Sequence, residues 1–106
     1  MNTSPLLHIN LNAYINYQDG SVVSREVMRI AAGTSTLFAF AEGQGLSEHT
    51  TPYDALVIIV DGEAEITVDG KAKTVKQGEF IHMPANHPHA LRAHKPFKML
   101  LTMMKA

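Results

Sequence analysis

Residues 55–60 read ALVIIV, apolar at every position, and the chain on either side of that run alternates. Glu63 to Val68 places Ala64, Ile66 and Val68 on one face and Glu63, Glu65 and Thr67 on the other, the period of a half-buried strand. Ser21 to Ile30 alternates more loosely, with Val23, Arg25, Val27 and Arg29 set against Val22, Glu26, Met28 and Ile30. Thr34 to Ala41 is rich in Thr, Leu and Phe, and short strands are predicted at Lys71 to Val75, Phe80 to Met83 and Leu91 to Ala93. A last strand, Phe97 to Met103, carries Phe97, Met99, Leu101 and Met103 on one face. The unbroken ALVIIV run predicts a strand that packs on both of its faces, either on N-terminal segments or on a partner subunit.

Glycine turns punctuate these segments. Ala32-Gly33, Gly43, Gly45 and Gln77-Gly78 separate strands, and Asp61-Gly62 and Asp69-Gly70 are each expected to close a hairpin. About eight short strands at roughly eight- to twelve-residue spacing argue for an all-β sandwich or barrel. Tyr14 to Gln18, with Leu11 and Ile15 four apart, predicts one short helix ending before Asp19-Gly20. Phe38, Phe40, Phe80 and the C-terminal methionines are expected in the core.

Composition narrows the chemistry. At 106 residues with 45% hydrophobic and 18% charged, the chain is expected to form one domain over residues 1–106 around a packed core. It has no cysteine, which excludes a disulfide scaffold, a thiol nucleophile, a zinc finger and an iron–sulfur site. The first eighteen residues contain no lysine or arginine and no long apolar run, unlike a secretory leader, so the expected location is the cytoplasm. A net charge of −1 gives no footprint for nucleic acid, and ALVIIV is too short to cross a membrane. Charge is distributed unevenly. Apart from Asp19 and Glu26 the acids all lie between residues 42 and 79, while residues 80–106 carry Arg92, Lys95, Lys98 and Lys105 and no acid. That basic edge is a solvated face or a neighbour for an acidic small ligand.

Of the six histidines, His8 and His94 read as exposed and are assigned no role. His49 precedes Thr50, Thr51, Pro52, Tyr53 and Asp54 and leads into ALVIIV. His87 and His89 flank Pro88 after the Pro84-Ala85-Asn86 loop, and would share a face of an extended segment. Neutral imidazole is the commonest protein ligand for iron, zinc, nickel or copper; the bland alternative is ordinary polar residues on loops.

These residues resemble the cupin family. Its second motif (glycine, five residues, proline, one residue, glycine, two residues, histidine) reads here as Gly78-EFIHM-Pro84-Ala85-Asn86-His87-Pro88-His89. Asn86 stands where glycine is usual, and asparagine also tolerates positive φ. The motif's closing asparagine falls at Ala93. The glycine ending the first motif matches Gly62, which places that motif's two histidines at His49 and Thr51 and its glutamate at Ala55. The motif-bearing core spans about residues 45–93, and the strand pattern extends the likeness over most of the chain.

The resemblance implies a jelly-roll β-barrel of the small conserved-barrel type, commonly a homodimer, with a pocket at its open end. In metal-binding members three histidines and a glutamate hold the metal there. This sequence keeps two of the four, His49 and His89. A divalent Fe, Mn, Ni or Zn ion at these two residues, or no metal at all, are both compatible with that pattern. Thr51, Tyr53, Asp54, His82 and His87 are the further candidates to line the pocket. Asp54 lies one residue from the lost glutamate, a shift that turns a side chain to the opposite face of a regular strand. His82 shares a strand face with Phe80. Three functions follow: a small-molecule-binding barrel acting as a sensor or accessory subunit, a metal-dependent oxygenase or isomerase acting on a small organic substrate, or a metal-free enzyme using His49 or His89 as general base.

Overall fold

The computed structural model describes residues 7–105. Among these residues nine strands form two antiparallel sheets: β1 (Val22–Ile30), β2 (Gly33–Phe40), β3 (Gly45–His49), β4 (Tyr53–Asp61), β5 (Glu63–Val68), β6 (Lys71–Lys76), β7 (Phe80–Met83), β8 (His89–Arg92) and β9 (Phe97–Lys105). One sheet runs β1-β2-β9-β4-β7 and the other β3-β8-β5-β6. Their inner faces share a core in which Phe40, Val57, Ile59, Phe97 and Met99 meet Ala64, Ile66, Val75 and Leu91. Phe40 and Phe97 stack with ring centroids 4.5 Å apart, across the β2–β9 register pair that aligns them. This is the jelly-roll sandwich that the alternation and turn spacing predict.

The bounds of β5 and β7 coincide with those expected, β5 from alternation and β7 from the turn at Gln77-Gly78. β3 is a strand that the glycines at 43 and 45 conceal. It has one apolar position, Leu46, and lies at a sheet edge where most of its residues are exposed. Asp69-Gly70 closes the β5–β6 hairpin with positive φ at both residues, 53° and 76°.

Asp61-Gly62 does something else. β4 and β5 do not pair; they belong to different sheets, and Gly62 is the corner between them. Its φ is +73°, and a Cβ there would meet the Pro96 carbonyl oxygen at 2.4 Å. A positive φ serves a hairpin and a corner equally, so the dipeptide alone does not distinguish the two.

The expected helix over Tyr14 to Gln18 is instead a single 3₁₀ turn at Asn12–Tyr14, with Ile15 already extended. Ile15 is buried with Leu37 and Ala39 on the outer face of the five-stranded sheet, so the N-terminal segment is a strap rather than a helix. The strap is pinned by Lys98, which is 6% exposed. Its Nζ donates to the Asn12 carbonyl at 2.6 Å and to the Asn12 side-chain oxygen at 2.8 Å.

ALVIIV divides by face. Ala55, Val57 and Ile59 point into the core, and Val60 packs under the strap. Leu56 and Ile58 are half-buried on the outer face, opposite His82 and Phe80 of β7. Phe80 is therefore not a core residue: it is 65% exposed, because β7 turns it to the uncovered outer face. Met104 is likewise half exposed, whereas Met99 is buried as expected.

Candidate functional site

β3 and β8 are antiparallel, and their register brings His49 opposite His89. The two rings meet edge to face with centroids 4.3 Å apart and Nε2 atoms 3.1 Å apart. His89 is buried and His49 is exposed, so the pair sits at the barrel mouth, half in protein and half in water.

Each ring's other nitrogen is already committed. His49 Nδ1 lies 2.7 Å from the Ser47 carbonyl, and His89 Nδ1 lies 3.2 Å from the His87 carbonyl. A carbonyl oxygen only accepts, so both Nδ1 atoms must carry the proton. In the neutral rings both Nε2 atoms then present lone pairs to each other. That contact is repulsive unless a cation lies at it, either a proton on one Nε2 or a metal ion between the two. Burial lowers the pKa of His89, and the neighbouring His49 lowers it further, while the His87 carbonyl opposes the shift. Burial thus favours the neutral form of His89.

Beneath the pair is a cavity of ≈ 40 Å³. Its walls include Thr51, Ala55 and three methionines, Met83, Met99 and Met103. Ala55 stands in register with Met83 on one side and Met103 on the other, so two thioether side chains flank the position where the cupin motif has its glutamate. The Thr51 hydroxyl donates to the Tyr53 carbonyl at 3.2 Å, and the Asn86 amide donates to the Thr51 carbonyl at 2.7 Å. The second of these bonds ties the two motif loops together. Asn86 has φ +66°, the conformation for which the motif uses glycine.

Outside the cavity, bordered by the β1–β2 turn, the start of β4 and the end of β9, lies an open hollow of ≈ 690 Å³. Arg29, Thr34, Tyr53, Met103 and Lys105 border it, and Met103 is common to the hollow and the cavity. Arg29 also pairs with Glu26 at 2.8 Å on the exposed surface.

The remaining candidates lie elsewhere. Asp54 and His82 are on the outer face of the sheet, away from the cavity, as the parity of β4 requires. His82 Nε2 donates to Asp54 at 3.0 Å, and the Ala85 amide donates to the same oxygen at 3.2 Å. The His82 bond first, then the Ala85 amide, hold the Asp54 carboxyl below its ordinary pKa. His87 is directed away from the cavity and donates through Nδ1 to Asp69 at the β5–β6 turn, 2.7 Å away. The residues that sequence reasoning left in the core or unassigned are Met83, Met99 and Met103 in the cavity and Arg29 at the hollow, where it joins Lys105 of the basic edge. The shared face of Met99 and Met103 was visible in the sequence; their place beside Ala55 was not.

Comparison with known proteins agrees with this architecture. The family model for the cupin domain matches residues 36–103. The chain belongs to the cupin family. A conserved protein of unknown function from Streptococcus pyogenes is similar to it at 34% identity and TM-score 0.90, over 100% of this chain and 93% of that one. A cupin 2 conserved barrel domain protein from Leptotrichia buccalis is 41% identical with TM-score 0.88; it aligns with 92% of this chain, which spans only 47% of that longer protein. A cupin superfamily protein from Desulfitobacterium hafniense is 27% identical with TM-score 0.89, over 100% of this chain and 97% of that one. Among curated proteins, none matches the chain.

The four-ligand set of metal-binding cupins does not fit this site. Thr51 and Ala55 occupy two of its positions, and no group of three or more His, Cys, Asp or Glu side chains suited to a metal gathers among the described residues. Also among the described residues, no helix is long and apolar enough to cross a membrane.

Proposed function

We propose that this cupin binds one cation at the His49–His89 pair, and that the site is a metal-binding centre with two imidazole ligands. The observation that carries this reading is the 3.1 Å contact between two Nε2 atoms whose Nδ1 partners are both backbone carbonyls. Two nitrogens bound to one tetrahedral ion at about 2.0–2.1 Å stand roughly 3.3 Å apart, so the pair needs almost no rearrangement to chelate. A cavity of ≈ 40 Å³ has room for an ion or a water and none for an organic molecule. A small organic ligand would sit in the outer hollow instead, where Arg29 and Lys105 favour an acidic one. A bound metal would supply Lewis acidity at the His49–His89 pair.

The test is the metal content of untagged protein purified without chelator. The expected result is close to one metal ion per chain, lost in both His49→Ala and His89→Ala. Metal far below one per chain, not restored by incubation with Fe, Mn, Ni, Zn or Cu, would reject the centre. The cation would then be a shared proton, and the pair a general base.

We also propose that the uncovered outer face carries a second copy of this chain. The strap leaves Leu56, Ile58, Phe80 and Met104 open there, in one continuous patch across β7, β4 and β9. His82 and Asp54 stand beside Leu56 and Met104 in it and bond to each other at 3.0 Å, so a two-fold partner meets the same apolar side chains around one internally bonded polar pair.

A further inference from the structure

The metal-binding reading says nothing of which ion the site selects, and the side chains around the histidines bear on that. Where a hard or borderline ion would need a carboxylate, this chain has Ala55, and on either side of Ala55 in the sheet register stand Met83 and Met103. Met99 is a third methionine on the same cavity wall. Met83 and Met99 are almost fully buried, at 3% and 1% exposure, so their sulfurs lie in a dry, apolar environment. No side chain lining the cavity bears an anionic group. A divalent ion there would carry its full double charge into a low-dielectric space, an unfavourable placement. A monovalent ion halves that charge and meets polarizable ligands.

We propose that the cavity is a site for Cu(I), held by the Nε2 atoms of His49 and His89 together with thioether sulfur from Met83 and Met103. Imidazole serves Zn, Cu, Fe and Ni alike, whereas thioether sulfur is a soft donor suited to Cu(I) and carboxylate suits harder ions such as Mn, so the methionines in place of a carboxylate carry the discrimination. The cavity volume of ≈ 40 Å³ admits a single ion. Nothing needs to be oxidised or reduced for binding: the ion enters as Cu(I), displaces a proton wherever one is shared by the pair, and gains no charge from the protein. The inference rests on the metal-binding reading and narrows it to one ion and two further ligands.

The experiment is an anaerobic titration of the full chain with Cu(I) in competition with a chromophoric Cu(I) chelator, alongside a Zn(II) titration. Both are repeated on Met83→Leu/Met103→Leu and on His89→Ala. Leucine conserves volume closely enough for the barrel to fold. The expected result is one Cu(I) per chain, bound more tightly than Zn(II). The double methionine variant should lose at least tenfold in Cu(I) affinity while Zn(II) binding changes less than twofold. Copper K-edge absorption of the unaltered protein should show sulfur as well as nitrogen neighbours, a readout independent of how the variant folds. Cu(I) binding indifferent to the methionines, an absorption edge with nitrogen or oxygen neighbours only, or Zn(II) bound more tightly than Cu(I) overturns the copper inference and leaves the two-histidine centre standing. Failure of every metal to bind, with His89→Ala indistinguishable from the unaltered chain, overturns both.

Discussion

Lys98 of β9 and Asn12 of the N-terminal strap are joined by two hydrogen bonds, from one buried ammonium to the carbonyl and side-chain oxygens of the same residue. The contact spans 86 positions and holds Ile15 over Leu37 and Ala39. Hydrogen bonds from a charged donor typically contribute about 1.5–3 kcal/mol, and here their loss also uncovers apolar surface. Lys98→Ala should destabilise the fold by roughly 3 kcal/mol and open the chain between residues 10 and 20 to proteolysis. Denaturant unfolding and limited proteolysis check this. Unchanged stability and cleavage would mean that the strap holds without its pin.

Gly62 and Gly70 share almost the same backbone, φ +73° and +76°, but differ in surroundings. A Cβ on Gly70 meets nothing within 4 Å, whereas one on Gly62 meets the Pro96 carbonyl at 2.4 Å. Gly70→Ala should therefore cost only the conformational penalty, about 1–2 kcal/mol. Gly62→Ala should cost more than about 3 kcal/mol, because the corner and the 96–97 backbone cannot both keep their places. Equal costs, measured by urea unfolding, would show that the corner yields easily.

Acidification should weaken the fold through His89. Its folded pKa lies below the ordinary 6.5, so the neutral ring contributes stability that is present above that pH and lost as pH falls through the folded value. The group facing it is His49, with 3.1 Å between the two Nε2 atoms. The pairs His82–Asp54, His87–Asp69 and His94–Glu65 are common to the chain and to a His89→Gln variant, so the comparison isolates His89. Measured in chelator between pH 8 and pH 5, the unaltered chain should lose more stability than His89→Gln. Equal losses would contradict the assignment.

A second copy on the outer face should be visible in sedimentation. The chain should run at twice its 11.6 kDa, and Phe80→Lys or Ile58→Asp should return it to a monomer without unfolding. A monomer at micromolar concentration for the unaltered chain would remove the second copy from the account.

Much of the fold was legible because alternation and glycine turns are local: Glu63–Val68 carries its own bounds, and Phe80–Met83 follows directly on the Gln77-Gly78 turn. Asp61-Gly62 misled because what makes it a corner is Pro96, far along the chain. β3 was hidden because an edge strand with a single apolar residue has no pattern to show. Parity placed Phe80 and His82 on one face, but the sequence could not say that this face is uncovered. The same limit applied at the site. The motif spacing singled out His49 and His89, and their register across β3 and β8 sets them Nε2 to Nε2. That Met83 and Met103 flank Ala55 follows only from pairing among β7, β4 and β9.

The central claim is that two Nε2 lone pairs share one cation. Long-range ¹H–¹⁵N correlation of the histidine rings tests it most directly, at pH 8, first in chelator and then with one equivalent of metal. The account predicts that His49 and His89 are both protonated at Nδ1 in the metal-loaded chain, and that their Nε2 resonances shift together and saturate at one equivalent. An Nε2–H tautomer persisting in either ring of the loaded chain, or Nε2 resonances indifferent to every metal offered, would contradict it.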